Sequence, residues 1–126
     1  MRRDEIDISE LLGKTFSDIQ VSSNLETINF VCATGETYQM YHDQGCCESV
    51  TVDDIIGVLD DLIGAPLLMA EKVTNENENP EGFTKEYQDS FTWTFYKFAT
   101  IKGYVTIRWY GESNGYYSEE VTFAKV

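Results

Sequence analysis

Residues 51–64 read TVDDIIGVLDDLIG, and the periodicity assigned to this stretch decides the fold class. At about 100° per residue, Ile55, Ile56, Val58, Leu59, Leu62 and Ile63 gather on one side of a helix, with Asp53, Asp54, Gly57, Asp60 and Asp61 on the other. Thr51 is placed as an N-cap, Asp53 and Asp54 suit the positive end of a helix dipole, and Gly64 followed by Pro66 supplies a stop. The pattern predicts one main amphipathic helix over residues 52–63 that lays its aliphatic face on a sheet and shows solvent a stripe of four aspartates.

Outside it the sequence alternates like strand. Residues 17–21, 27–33 and 36–42 are rich in β-branched and aromatic side chains, with a tight turn at Thr34-Gly35 joining the last two. Ile8 to Leu12 forms a short helix capped by Asp7 or Ser9, residues 67–74 a further strand, and residues 75–86 a polar surface loop without apolar period. Three long strands follow at 90–101, 104–111 and 117–125, with a turn at Lys102-Gly103 and a bulged loop at residues 113–115 that pairs Ile107 with Val121 and Val105 with Phe123. The prediction is one α+β domain over residues 1–126, mostly antiparallel sheet of six to seven strands, meander-like, with the helix on one face.

One sheet face then carries Tyr96, Phe98, Val105, Ile107, Trp109, Val121 and Phe123 as the seat of the helix. The other carries Phe91, Trp93, Phe95, Tyr104 and Tyr110 around a central row of Lys97, Arg108 and Glu120. So aromatic a face calls for a cover: the N-terminal meander, a second copy in a homodimer, or a ligand.

Composition bounds the function. The 126 residues hold 22 Asp plus Glu against 9 Lys plus Arg, a net charge of −13. Such a surface repels phosphate backbones and anionic lipid, so no direct nucleic-acid or membrane binding is expected, and a basic partner is attracted. The opening MRRDEIDISELLGK reads as neither a signal nor a transit peptide, and the longest apolar run, APLLMA at 65–70, is far too short to span a membrane. A cytoplasmic protein with reduced thiols is expected, because its three cysteines do not read as a secreted disulfide framework.

The densest reactive cluster is YHDQGCCES, residues 41–49, with the only histidine beside two thiols. Cysteine-based catalysis or a metal at His42, Cys46 and Cys47 is weighed and ranked third. Adjacent cysteines point apart and no second ligand cluster is visible, so no metal, no cofactor and no catalytic residue is assigned. The cationic pair Lys97 and Arg108, with Tyr104, Tyr110 and Glu120, forms an alternative site for a small ligand or nucleotide signal, set against the simpler reading that Glu120 bridges the two cations.

Three stretches carry a resemblance: GKTF at 13–16, YHDQGCCESVTVDDIIG at 41–57 leading to DLIG at 61–64, and SFTWTFYKFATIKGYVTIRWYGESNGYYS at 90–118. Together they resemble a family of small uncharacterised single-domain proteins found mainly in bacteriophages and related bacterial elements. The resemblance implies a phage setting in the host cytoplasm, where small acidic proteins often bind host defence machinery. The leading expectation is therefore a non-enzymatic accessory protein. Its Asp53, Asp54, Asp60 and Asp61 would meet a basic surface on a host defence or nucleic-acid-handling protein, in imitation of nucleic acid.

Overall fold

The computed structural model describes residues 4–43, 45, 47–83, 88, 90–115 and 117–126. Within them the chain runs β1 (Asp4–Glu5), a 3₁₀ turn (Ile8–Leu11), β2 (Phe16–Val21), β3 (Thr27–Cys32), β4 (Thr37–Tyr41), β5 (Glu48–Ile56), a 3₁₀ turn (Leu59–Leu62), β6 (Met69–Glu76), β7 (Ser90–Thr100), β8 (Gly103–Ser113) and β9 (Thr122–Lys125). A five-stranded sheet has the order β1-β9-β4-β3-β2 and a four-stranded sheet the order β5-β8-β7-β6. Every pairing between the named strands is antiparallel.

The α+β prediction is thus corrected to a β-sandwich, and the main helix is absent. Residues 48–56 pair with β8 instead, from Glu48 opposite Ser113 to Ile56 opposite Thr106. Val50 and Val52 alternate inward as strand residues, and the β-branched Val52, Ile55 and Ile56 suit an extended backbone. Gly57 ends the strand at φ +112°, where a Cβ would sit 2.5 Å from the Tyr104 carbonyl oxygen, a place no helical residue could occupy. Of the supposed buried stripe only Leu62 is fully covered, while Ile56 and Val58 are exposed.

The two sheets face each other across one core. Ile28, Phe30, Tyr38, Met40 and Phe123 come from the first sheet, and Val50, Val52, Tyr96, Phe98, Val105, Ile107 and Trp109 from the second. Phe30 meets Phe98 with ring centroids 5.8 Å apart, and Trp109 Nε1 points at Met40 Sδ at 3.1 Å. Each such side chain contributes about 1.5–3 kcal/mol by leaving water. The apolar face read from residues 96–123 is this core, but its partner is another sheet.

Two registers also differ from expectation. The β7–β8 turn falls at Ile101-Lys102, since Thr100 pairs with Gly103. That shift puts Lys97 opposite Thr106 and Arg108 opposite Phe95, so the two cations do not face each other. The predicted hairpin between β8 and the last strand does not form: β9 crosses to the other sheet and pairs with β4 and β1. The expected β3–β4 hairpin is present, with Gly35 at φ +100°, and Asp7 caps the first 3₁₀ turn in a capping box with Glu10.

Candidate functional site

His42 follows β4, which delivers it into the space between the sheets. Its ring is buried, with Nδ1 donating to the Glu120 carbonyl oxygen at 2.6 Å and Nε2 3.1 Å from Glu48 Oε1. Glu48 also accepts from the Gly45 N–H. That bond first, and then His42, hold its carboxyl below the ordinary carboxylate range against the opposing effect of burial. Cys47 is disulfide-bonded, which corrects the expectation of reduced thiols for this residue, whereas Cys32 is a free thiol buried in the core. Cys46 lies outside the described residues. The histidine is thus committed to closing the loop, through Glu48 and the Glu120 carbonyl.

The aromatic face is covered from an unexpected direction. Phe83 returns from the polar loop onto Trp93 edge-on at 4.9 Å between centroids, and lies 5.8 Å from Tyr110. Asn79 Oδ1 accepts from Trp93 Nε1 at 3.0 Å, and Gln88 Nε2 donates to both Asn79 Oδ1 and Tyr110 Oη. The polar composition of residues 75–86 hid the clamp made by Phe83.

Arg108 reaches the same Trp93 ring. Its Nη2 is 2.6 Å from Asp53 Oδ2, its Nε donates to that oxygen at 2.8 Å, and its guanidinium stands 5.1 Å from the Trp93 ring. Glu120 does not bridge Lys97 and Arg108; it pairs with Lys72 at 3.8 Å. Tyr104 is half exposed near the far end of β8.

The four aspartates do not share a helical stripe. Asp53 stands at a bulge between Val52 and Asp54 and is held by Arg108, and Asp54 is exposed beside it. Asp60 and Asp61 lie in the second 3₁₀ turn, with the Asp61 carbonyl accepting from Thr100.

What the sequence did not show is the open side of the sandwich along β6. The strand forms one edge of its sheet, and all its residues from Glu71 onward are exposed. Lys72 reaches from it across the gap, donating to the Val121 carbonyl at 2.9 Å with its ammonium over the Tyr96 ring. Tyr96 Oη donates to the same carbonyl, and burial pushes its phenol far above its ordinary pKa.

This strut stands between two grooves. One, of about 840 Å³, is lined by Glu5, Asp7, Glu71 and Lys72 above an apolar floor including Ile6, Ala70, Tyr96 and Phe123. The other, of about 440 Å³, is lined by Glu76, Glu119 and Glu120 with Thr74, Ser90 and Thr92. Glu119 is fixed there by hydroxyl donors, Thr92 Oγ1 at 2.7 Å and Ser113 Oγ at 2.5 Å.

Residues 9–123 match the profile of a domain of unknown function, DUF7448. The chain belongs to this family. No curated protein and no solved structure matches it. DUF7448 therefore agrees with the family of uncharacterised proteins that the sequence resembles, and assigns no residue a role. Among the described residues of this DUF7448 chain, no helix is long and apolar enough to cross a membrane, and no group of three or more His, Cys, Asp or Glu is placed to hold a metal ion.

Proposed function

We propose that this DUF7448 protein acts by binding, and that its ligand is a basic segment of a partner protein. The observation that carries the reading is the lining of the two grooves: among the described residues, six carboxylates, from Glu5, Asp7, Glu71, Glu76, Glu119 and Glu120, against the single ammonium of Lys72. That ammonium is already engaged by Val121 and Glu120. In a chain of net charge −13 this rim concentrates negative potential beside an apolar floor, which favours cationic, partly apolar ligands. Asp54 and Asp60, exposed elsewhere, add to the long-range attraction.

The phage setting implied by the sequence resemblance makes the partner a host protein, of the defence or nucleic-acid-handling kind, met in the host cytoplasm. The test is capture from bacterial lysate over a salt series by wild type and by a variant carrying Glu5→Gln, Glu71→Gln, Glu76→Gln and Glu120→Gln. A partner retained by wild type, released by salt and missed by the variant supports the reading. Equal capture by both removes the rim from it.

A further inference from the structure

We infer that β6 is a docking edge, and that the partner segment binds as an added β-strand. The inference rests on the binding reading above and names the shape of the ligand. A sheet edge is a row of unpaired backbone donors and acceptors, and folded proteins normally cover, bend or shorten such edges. The other edges here are treated in these ways. β1 has two residues. β2 is tied at its first residue, through the bridge from Phe16 to Ile63 beside that from Thr15 to Pro66, and shifts register between Phe16 and Asp18. β5 is broken by its bulge at Asp53 and touched by Leu25, whose carbonyl accepts from Val52 N–H at 2.8 Å.

β6 is the long edge without a shift of register, and the first 3₁₀ turn packs beside its start without pairing to it. The strand pairs with β7 from Met69 to Glu76. Asn77 N–H bonds the Phe91 carbonyl at 2.9 Å in continuation of that register. By strand alternation the backbone groups of Asn75, Val73 and Glu71 then face β7, and those of Lys72, Thr74 and Glu76 face outward.

The grooves supply the side-chain recognition. A strand laid along β6 would send alternate side chains inward, one toward the apolar floor beside Ala70 and another toward the carboxylates beside Thr74 and Glu76. These points lie four strand positions apart, about 13 Å. The segment that fits is extended, with an apolar and a basic side chain four positions apart on one face. Strand addition of this kind draws affinity from main-chain bonds and specificity from alternate side chains. Glu71 and Glu76 on the edge itself repel an acidic strand, a second copy of this chain of net charge −13 included.

The probe is a labelled ten-residue peptide with valine at its third and fifth positions, lysine at its seventh and ninth and threonine elsewhere, with two controls: the same peptide N-methylated along its backbone, and one with glutamate in place of both lysines. Thr74→Pro is the blocking variant, because the lost N–H faces outward and proline is tolerated on strand edges. Expected are binding of the lysine peptide, hydrogen-exchange protection of the Lys72, Thr74 and Glu76 amides, and about tenfold weaker binding of the N-methylated peptide and by Thr74→Pro. Amide protection in wild type decides the matter if Thr74→Pro does not fold. Lysine-peptide binding that leaves these amides unprotected, or survives N-methylation, overturns the docking edge and leaves the acidic-rim reading standing. Failure of the lysine peptide to bind at low salt, or equal binding of the glutamate peptide, overturns both. A dimer in sedimentation that Thr74→Pro dissolves would show a second copy on the edge and overturn the peptide assignment.

Discussion

Arg108 and Asp53 are locked across the β5–β8 pair at the point where β5 bulges, nitrogen to oxygen 2.6 Å, with the Trp93 ring under the guanidinium. The bulge re-aims Asp53 so that an acid read as a solvent-facing helix residue neutralises the cation of the aromatic face.

Both side chains of the pair keep partial contact with water, so its contribution is modest. Asp53→Asn is expected to lower stability by about 0.5–1 kcal/mol in urea unfolding. The loss should shrink in 1 M salt, on the order of a 3 Å screening length. A salt-independent loss would locate the effect in the bulge geometry instead.

Phe83 is the lid on Trp93, which is fully buried although it points away from the sandwich core. Phe83→Ala should cost about 1 kcal/mol and red-shift tryptophan emission as water reaches the indole. Trp109 is enclosed by the core, so the shift should vanish in Trp93→Phe. An unchanged spectrum would mean the loop shields Trp93 without this ring.

Gly57 and Gly35 separate two causes of glycine dependence. Both have positive φ, but a Cβ at Gly35 meets nothing within 4 Å, whereas at Gly57 it meets the Tyr104 carbonyl oxygen at 2.5 Å. Gly35→Ala should cost about 1–2 kcal/mol from backbone conformation alone. Gly57→Ala should cost clearly more, because β5 and β8 must part. Equal melting temperatures for the two variants would contradict this.

Glu48 sets an acid limb to stability. Its folded pKa lies below its ordinary 4.5, so the stabilisation is present in full above that value and is lost as pH falls through the folded one. Glu48→Gln should therefore be less stable than wild type at neutral pH, with the gap closing as pH is lowered below 4.5. Melting curves from pH 7 to pH 3 measure it; a gap of constant size would show that the glutamate contributes shape and not charge.

How far these features could be read in advance depends on the range of the contacts behind them. The β3–β4 hairpin, the Asp7 cap and the inward set Tyr96, Phe98, Val105, Ile107 and Trp109 follow from local alternation and turn chemistry, and were legible. Residues 52–63 were not, because Ile55, Val58, Leu59 and Leu62 satisfy a helical period while belonging to a strand, a left-handed glycine bend and a 3₁₀ turn. The choice is made by pairing with β8, some fifty positions away.

The site residues divide in the same way. His42 stood out by its type, but its partners Glu48 and Glu120 are brought together by the fold. The rim along β6 carries no local signal, since its acids come from residues 5–7, 71–76 and 119–120. Lys72 within an otherwise acidic edge is the one hint, and it gains meaning only once Val121 is seen opposite.

The placement of β9 between β1 and β4 governs how the protein comes into being. Residues 122–125 are the mortar of a sheet whose other strands are made much earlier, so during synthesis β1 and β4 wait without their shared neighbour while the residues between β4 and β9 are added. Closure depends on partners more than eighty residues apart, such as Tyr38 and Lys125, and such long-range pairings make β-sandwiches slow to fold and vulnerable to aggregation before they do. The first sheet therefore stays open between β1 and β4 until residues 122–125 pair with both.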